Sequence, residues 1–311
     1  MSKKKNSVKS KGAPTLFSYM YKLIDRLNAA GKARTAETYY AAMSSFRRFR
    51  QSRDIPLSEI TGELIEEYQM YLEKKGLIPN SISFYMRILR AVYNRAVDQD
   101  LVDQAFPFKH VYTGVAKTVK RALPLKQIKE IRDLDLSGQP SLEFARDMFM
   151  LCFYLRGISF VDLSYLKKEN FRNGEITYRR KKTGQLLRIA CEQEILQLLM
   201  RYATPAANPY LVSIVTDTNR DPRNQYISRM YVINKNLKKV AEKAGLSFPL
   251  TLYVARHSWA SAAHNSKIPI SVISECMGHD SESTTQIYLA SLDTSHLVEA
   301  NRTVLSALAN A

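Results

Sequence analysis

The chain has 311 residues, 45% hydrophobic and 24% charged, with 11 Gly and 11 Pro, which excludes collagen-like, low-complexity and wholly disordered classes. Lys and Arg number 46 against 29 Asp and Glu, a formal charge of +17, so a polyanion, nucleic acid first, is the expected partner. The three cysteines follow no metal or redox spacing, and the longest apolar run, Met148–Leu155, is too short for a bilayer; the expectation is a cytoplasmic protein without a membrane span.

Residues 1–12 are a basic tail carrying Lys3, Lys4, Lys5, Lys9 and Lys11, expected to be disordered or to embrace a phosphate backbone. Residues 13–103 read as a four-helix domain. Phe17, Met20, Ile24 and Leu27 fall at helical spacing, and Gly31 closes that segment. Tyr39, Met43, Phe46 and Phe49 make a second stripe; Ile65, Tyr68 and Leu72, opened by Thr61, make a third. Ile82, Tyr85, Leu89, Val92 and Ala96 make the fourth, capped by Asn80 or Ser81. The polar faces of the second and fourth helices carry Arg47, Arg48, Arg50, Arg53, Arg87, Arg90 and Arg95. Basic residues outnumber acidic ones 22 to 11 over residues 1–122, so these arginines favour DNA phosphate contact over a merely solvated face.

Periodicity fails over residues 104–123, which are expected to form a linker punctuated by Pro107 and Gly114. Residues 124–311 form the second domain. Helices are expected near 125–133 and 141–155, then a hairpin with turns at Asn173-Gly174 and Lys182-Thr-Gly-Gln185. Further helices are expected near 192–203, 229–244, 255–264, 270–277 and 281–288, with a last one through Leu297, Ala300, Val304 and Leu308. The fold class is therefore mainly α: an N-terminal four-helix domain and a mostly helical second domain with a small antiparallel β-sheet.

Gly-rich phosphate loops, His-Glu-x-x-His and Cys/His zinc spacings are missing from the sequence, so neither a metal nor another cofactor is expected. Two arginines instead stand in apolar settings: Arg156 follows the run Met148–Leu155, and Arg256 lies within Leu252–Trp259. A guanidinium near a core needs an anionic partner. A structural salt bridge, with Asp162 serving Arg156, is one reading. A pair of planar forks holding the two non-bridging oxygens of a phosphodiester is the other.

The segment Met277-Gly-His-Asp-Ser-Glu-Ser-Thr-Thr-Gln-Ile-Tyr288 closely resembles the end of the tyrosine recombinase, or phage integrase, family. Gly278, His279, Thr284, Thr285 and Tyr288 match that family's pattern, with Met277 for its leucine. Arg156 with Asp162 resembles its first arginine box, in a variant with extra residues between them; Lys182 before Thr183-Gly184 resembles its catalytic-lysine turn; Arg256-His257 resembles its second arginine box. The boxes follow the family's order, and the resemblance covers essentially the whole chain.

The resemblance implies a DNA-breaking and rejoining enzyme working on double-stranded DNA without a cofactor. Tyr288 would attack a scissile phosphate to give a 3′-phosphotyrosine, Arg156 and Arg256 would clamp the phosphate, and Lys182, with Lys181 as its rival, would protonate the leaving 5′ oxygen. His279 would hydrogen-bond a non-bridging oxygen, His257 would buttress the site, and Asp162 would orient Arg156 or a neighbouring donor. The family's His-x-x-Arg is departed from at Tyr253, which is expected to orient the phosphate while the Tyr288 proton leaves through His279, His257 or water. The last helix either closes its own domain's core or, as the resemblance implies, packs on a neighbouring protomer in a tetrameric synapse. The alternatives are a non-catalytic DNA-binding architectural protein and a type IB topoisomerase-like relaxer. About a dozen residues precede the first helix, so no arm-binding domain is expected, which favours short inverted or direct repeats as sites.

Overall fold

A computed structural model describes residues 14–116 and 121–289, with 302 and 304–306 beyond them. The chain divides into two compact units between residues 117 and 118.

The first unit contains α1 (Leu16–Ala29), α2 (Ala33–Phe49), α3 (Gly62–Lys74) and α4 (Pro79–Val97). Each start has a local cause. The Thr61 hydroxyl accepts from Leu64 N at 3.2 Å and caps α3, while Pro79 occupies the first turn of α4, where its missing N–H costs nothing. Ile78, not Asn80 or Ser81, is therefore the residue at the start of α4. The expected stripes pack inward: Met20, Met43, Phe46, Ile65, Tyr68, Leu72, Ile82, Leu89, Val92 and Ala96 share one core, with Tyr85 partly buried against it. Within it the Tyr68 hydroxyl and Ser45 hydroxyl are 2.7 Å apart, and burial raises the phenol's pKa.

Part of the expected linker packs on the first unit. Phe108 and Val111 are buried in the first core, and residues 112–116 are tied down by side chains rather than by periodic packing. Asn80 donates to Ala116 O at 2.9 Å and accepts from Ala116 N at 2.8 Å; Ser83 donates to Gly114 O at 2.6 Å. Polar clamps of this kind leave no hydrophobic repeat to read.

In the second unit, α5 (Leu125–Asp133), α6 (Pro140–Tyr154) and α7 (Phe160–Tyr165) precede β1 (Phe171–Arg172), β2 (Glu175–Arg179) and β3 (Leu186–Ala190). Then come α8 (Gln193–Arg201), α9 (Pro222–Lys243), α10 (Leu252–Asn265), α11 (Ile270–Met277) and α12 (Glu282–Leu289). The run that marked α6 in the sequence forms its C-terminal half: Met148 to Cys152 are all buried, and α9 and α10 pack against this helix. The sheet is antiparallel in the order β1-β2-β3, with Ile176 opposite Ile189 and Tyr178 opposite Leu187. Helix α9 starts earlier than its apolar stripe, because the Asp221 carboxylate accepts from Arg223 N at 2.9 Å and Pro222 takes the first helical position. Among the described residues, no helix is long and apolar enough to cross a membrane. Of the expected last helix, Leu297, Ala300 and Leu308 lie outside the described residues, and Val304 is exposed.

Candidate active site

Helix α6 delivers Arg156. After Leu155 the chain turns through two consecutive left-handed residues, Arg156 at φ 57° and Gly157 at φ 70°. Gly157 adopts this freely; Arg156 does so at a steric cost typical of functional positions. The half-buried Arg156 donates from Nη1 to Arg188 O on β3 at 3.3 Å, with Cys276 Sγ on α11 3.9 Å away. Asp162 does not pair with it, contrary to the salt-bridge expectation. The insertion between them forms the turn into α7, where the Asp162 carboxylate accepts from Ser159 Oγ at 2.6 Å and Lys181 N at 2.8 Å and faces Arg180 Nε at 3.8 Å.

Helix α10 delivers Arg256, only 4% exposed. Its Nη1 donates to Gly157 O at 2.6 Å and its Nη2 to Met277 O at 2.8 Å, so it joins the Arg156 turn to the end of α11. The approach requires glycine: a Cβ on Gly157 would stand 2.9 Å from Arg256 Cα.

The second Nη2 contact of Arg256 is His279 Nε2 at 3.0 Å. A guanidinium only donates, so this contact is a hydrogen bond in the tautomer whose Nε2 accepts and whose proton sits on Nδ1. That nitrogen donates to Thr285 Oγ1 at 2.8 Å, and Thr285 is fully buried on α12. His279 is held there by the end of α11. Gly278, at φ 62°, bonds back to Glu275 O at 2.9 Å and His279 N to Ser274 O at 3.0 Å, a left-handed helix stop. Tyr288 lies on α12, three residues beyond Thr285; its side chain is outside the described part of the structure.

The β2–β3 turn carries the lysines. Lys182 is exposed at its tip. Lys181 is also exposed, but its Nζ sits 3.6 Å from the centroid of the Tyr165 ring, a cation–π contact that gives it a separate partner. Tyr253, in the first turn of α10, is 57% exposed and meets the buried His257 ring edge-to-face at 4.7 Å. Trp259 packs beside Ala260, Ile273, Met277 and Leu289, and burial pushes the Cys152 thiol up to about 12.

The structure thus brings together Arg156, Arg256, His279 and Thr285, and it adds two side chains for which no role was expected. Arg180 is buried and donates to Gly278 O; Gln185 donates to His279 O at 3.0 Å. A signal for Arg180 existed. It continues the alternation of inward-facing Ile176 and Tyr178 along β2, but its basic neighbours made it look like part of a solvated turn.

On the first unit, Arg47, Arg48, Arg87, Arg90 and Arg95 are exposed and Arg50 is half-buried. Among the described residues none of them has a carboxylate within ion-pair distance; Arg47 reaches Tyr21 Oη at 3.4 Å and Arg90 donates to Thr113 Oγ1 at 3.2 Å. A cleft of about 500 Å³ lies on this face, lined in part by Tyr39, Phe84, Arg87 and Ile88.

Residues 15–111 match the model of the phage integrase SAM-like domain, and residues 122–295 that of the phage integrase family. Over 279 residues the chain is 26% identical to the tyrosine recombinase XerA of Pyrococcus furiosus, spanning 78% of this chain and 93% of that protein. It is 23% identical to the tyrosine recombinase XerC of Leptospira interrogans over 265 residues, 82% of each. Its fold is similar to that of a lambda integrase dimer bound to a COC′ core site, with a TM-score of 0.67 at 18% identity, covering 89% of this chain and 95% of that one. A lambda integrase tetramer bound to a Holliday junction gives a TM-score of 0.68 at 18% identity, covering 90% and 78%. The catalytic-domain match alone takes in more than half of the sequence: this chain belongs to the phage integrase family and is a tyrosine recombinase.

Proposed function

We propose that this protein is a site-specific recombinase that integrates, excises or inverts a segment of double-stranded DNA in the cytoplasm, working through a 3′-phosphotyrosine intermediate. One observation carries the reading: a hydrogen-bonded series Arg256–His279–Thr285 leads from α10 to α12, and Tyr288 follows Thr285 by one helical turn.

The Tyr288 phenol oxygen attacks phosphorus, and the bond from phosphorus to the 5′ oxygen breaks. Arg156 and Arg256 hold the non-bridging oxygens as negative charge gathers there. Lys182 gives its proton to the leaving 5′ oxygen; the cation–π contact of Lys181 supports Lys182 in that role. The Tyr288 proton goes to His279 Nε2, whose lone pair is available once Arg256 Nη2 turns to the phosphate. The imidazolium so formed then donates to a phosphate oxygen. Attack by the 5′-hydroxyl of a partner duplex reverses these transfers and conserves the bond.

The tetrameric synapse is part of the proposal. It is supported by the similarity to the lambda integrase tetramer on a Holliday junction and by the exposure of Val304 and Leu305 near the C-terminus, available to a neighbouring protomer. The exposed arginines of α2 and α4 are assigned to DNA phosphates.

The test is covalent trapping on nicked duplexes drawn from the DNA flanking the gene. Wild-type protein should give a denaturant-resistant protein–DNA adduct; Tyr288→Phe should give none while binding within a few-fold. An adduct that persists in Tyr288→Phe moves the nucleophile elsewhere.

A further inference from the structure

Strand β2 sends Ile176 and Tyr178 into the core, and the next residue on that face is Arg180. A positive charge continues an apolar row. Arg180 is 7% exposed, its Nη1 donates to Gly278 O, and its Nε lies 3.8 Å from Asp162 Oδ2 without a hydrogen bond among the described residues. The same carboxylate takes the backbone N–H of Lys181 at 2.8 Å. From the other side of the turn, Gln185 Nε2 donates to His279 O at 3.0 Å. The Gly278 backbone fits against this side chain so closely that a Cβ there would stand 2.5 Å from Arg180 Cδ.

Burying a guanidinium against one carbonyl and a carboxylate at that distance is a poor source of stability, since an apolar side chain of similar volume would fill the place without desolvation cost. What the arrangement does provide is registry. Arg180 stands two residues before Lys182, and its acceptor Gly278 stands one residue before His279. At the tip of the hairpin Lys182 and Gly184 are exposed, and the turn is closed on Arg180 by the bond from Gly184 N to Arg180 O at 2.8 Å.

We propose that Arg180 is a positioning residue that pins the Lys182 hairpin to the His279 turn and thereby sets the general acid over the leaving 5′ oxygen, with Gln185 as the second pin. This rests on the reading of Lys182 as the acid. In this role Arg180 acts through Lys182.

The experiment compares single-turnover cleavage of two nicked duplexes, one with the natural 5′ bridging oxygen at the scissile phosphate and one with sulfur in its place. A thiolate leaves without protonation, so the sulfur substrate needs no general acid. Lys182→Ala should be slow on oxygen and restored on sulfur. Arg180→Met should lose about 10- to 100-fold on oxygen, a part of what a general acid contributes, and stay within about threefold of wild type on sulfur. Gln185→Ala, at a half-buried position, should show the same selective loss at smaller size. Full rates on oxygen for Arg180→Met, or equal losses on both substrates, overturn the proposal. If Arg180→Met does not fold, Gln185→Ala decides by the same two rates. If Lys182→Ala is not restored by sulfur, the assignment of the acid fails instead, whatever the Arg180 variant does.

Discussion

Arg256 Nη2 lies 3.0 Å from His279 Nε2, so a permanent cation faces the nitrogen assigned to receive a proton. Thr285 completes the arrangement by holding the Nδ1 proton.

Thr285→Val keeps the shape of this buried side chain and removes its oxygen. Losing one such partner costs about 1–3 kcal/mol, so cleavage should slow roughly 5- to 150-fold, and Thr285→Ser should recover most of it. Single-turnover cleavage rates read the effect; wild-type rates for Thr285→Val would detach His279 from the chemistry.

Arg156 separates stability from activity. At φ 57° it occupies a region that glycine enters without strain. Arg156→Gly should therefore unfold at least as high in temperature as Arg156→Ala, although it removes the same guanidinium. Both variants should lose about 2–5 kcal/mol of transition-state stabilisation. Thermal scans beside adduct formation test the pair. An active Arg156→Gly would remove Arg156 from the clamp.

At Tyr253 the ring meets His257 while the residue remains 57% exposed. Tyr253→Phe keeps the ring contact and isolates the hydroxyl. If the phenol donates to the scissile phosphate, cleavage should fall about 5- to 150-fold without vanishing, the cost of one donor. Tyr253→His should retain substantial activity. A wild-type rate for Tyr253→Phe would leave the ring with a packing role only.

DNA affinity should be steeply salt-dependent. Neutralising on the order of 6–10 phosphates predicts a fall of about 10³–10⁵ in affinity between roughly 50 and 200 mM salt. Replacing Arg87 and Arg90 together by Ala should flatten the slope of log K against log salt by about 2. Cleavage should proceed fully in EDTA, because the proposed charge stabilisation comes from guanidinium groups; restoration by magnesium alone would contradict it.

Helix positions were largely legible because apolar stripes such as Ile65, Tyr68 and Leu72 are periodic, and caps such as Thr61 are local. The candidate site was legible as motif, in Arg156, Arg256 and His279, because each is close in sequence to a recognisable neighbour. What escaped were pairings across long sequence separations. Asp162 stands nearer in sequence to Arg156 than to Arg180, yet it faces the latter, because the left-handed turn at 156–157 redirects the chain. Likewise the bonds of Asn80 to Ala116 join residues whose types announce only a turn and a loop.

Gly157 and Gly278 share a consequence beyond their own backbones. The space a methyl group would fill is taken in one case by Arg256 and in the other by Arg180. Each arginine and its glycine are therefore a single transplantable unit: a designer grafting this centre onto another scaffold would have to carry both members or lose both. A methyl at Gly278 would press on the Arg180 side chain and one at Gly157 on the α10 backbone at Arg256, so either would leave its nearest visible lesion on a different segment of the chain.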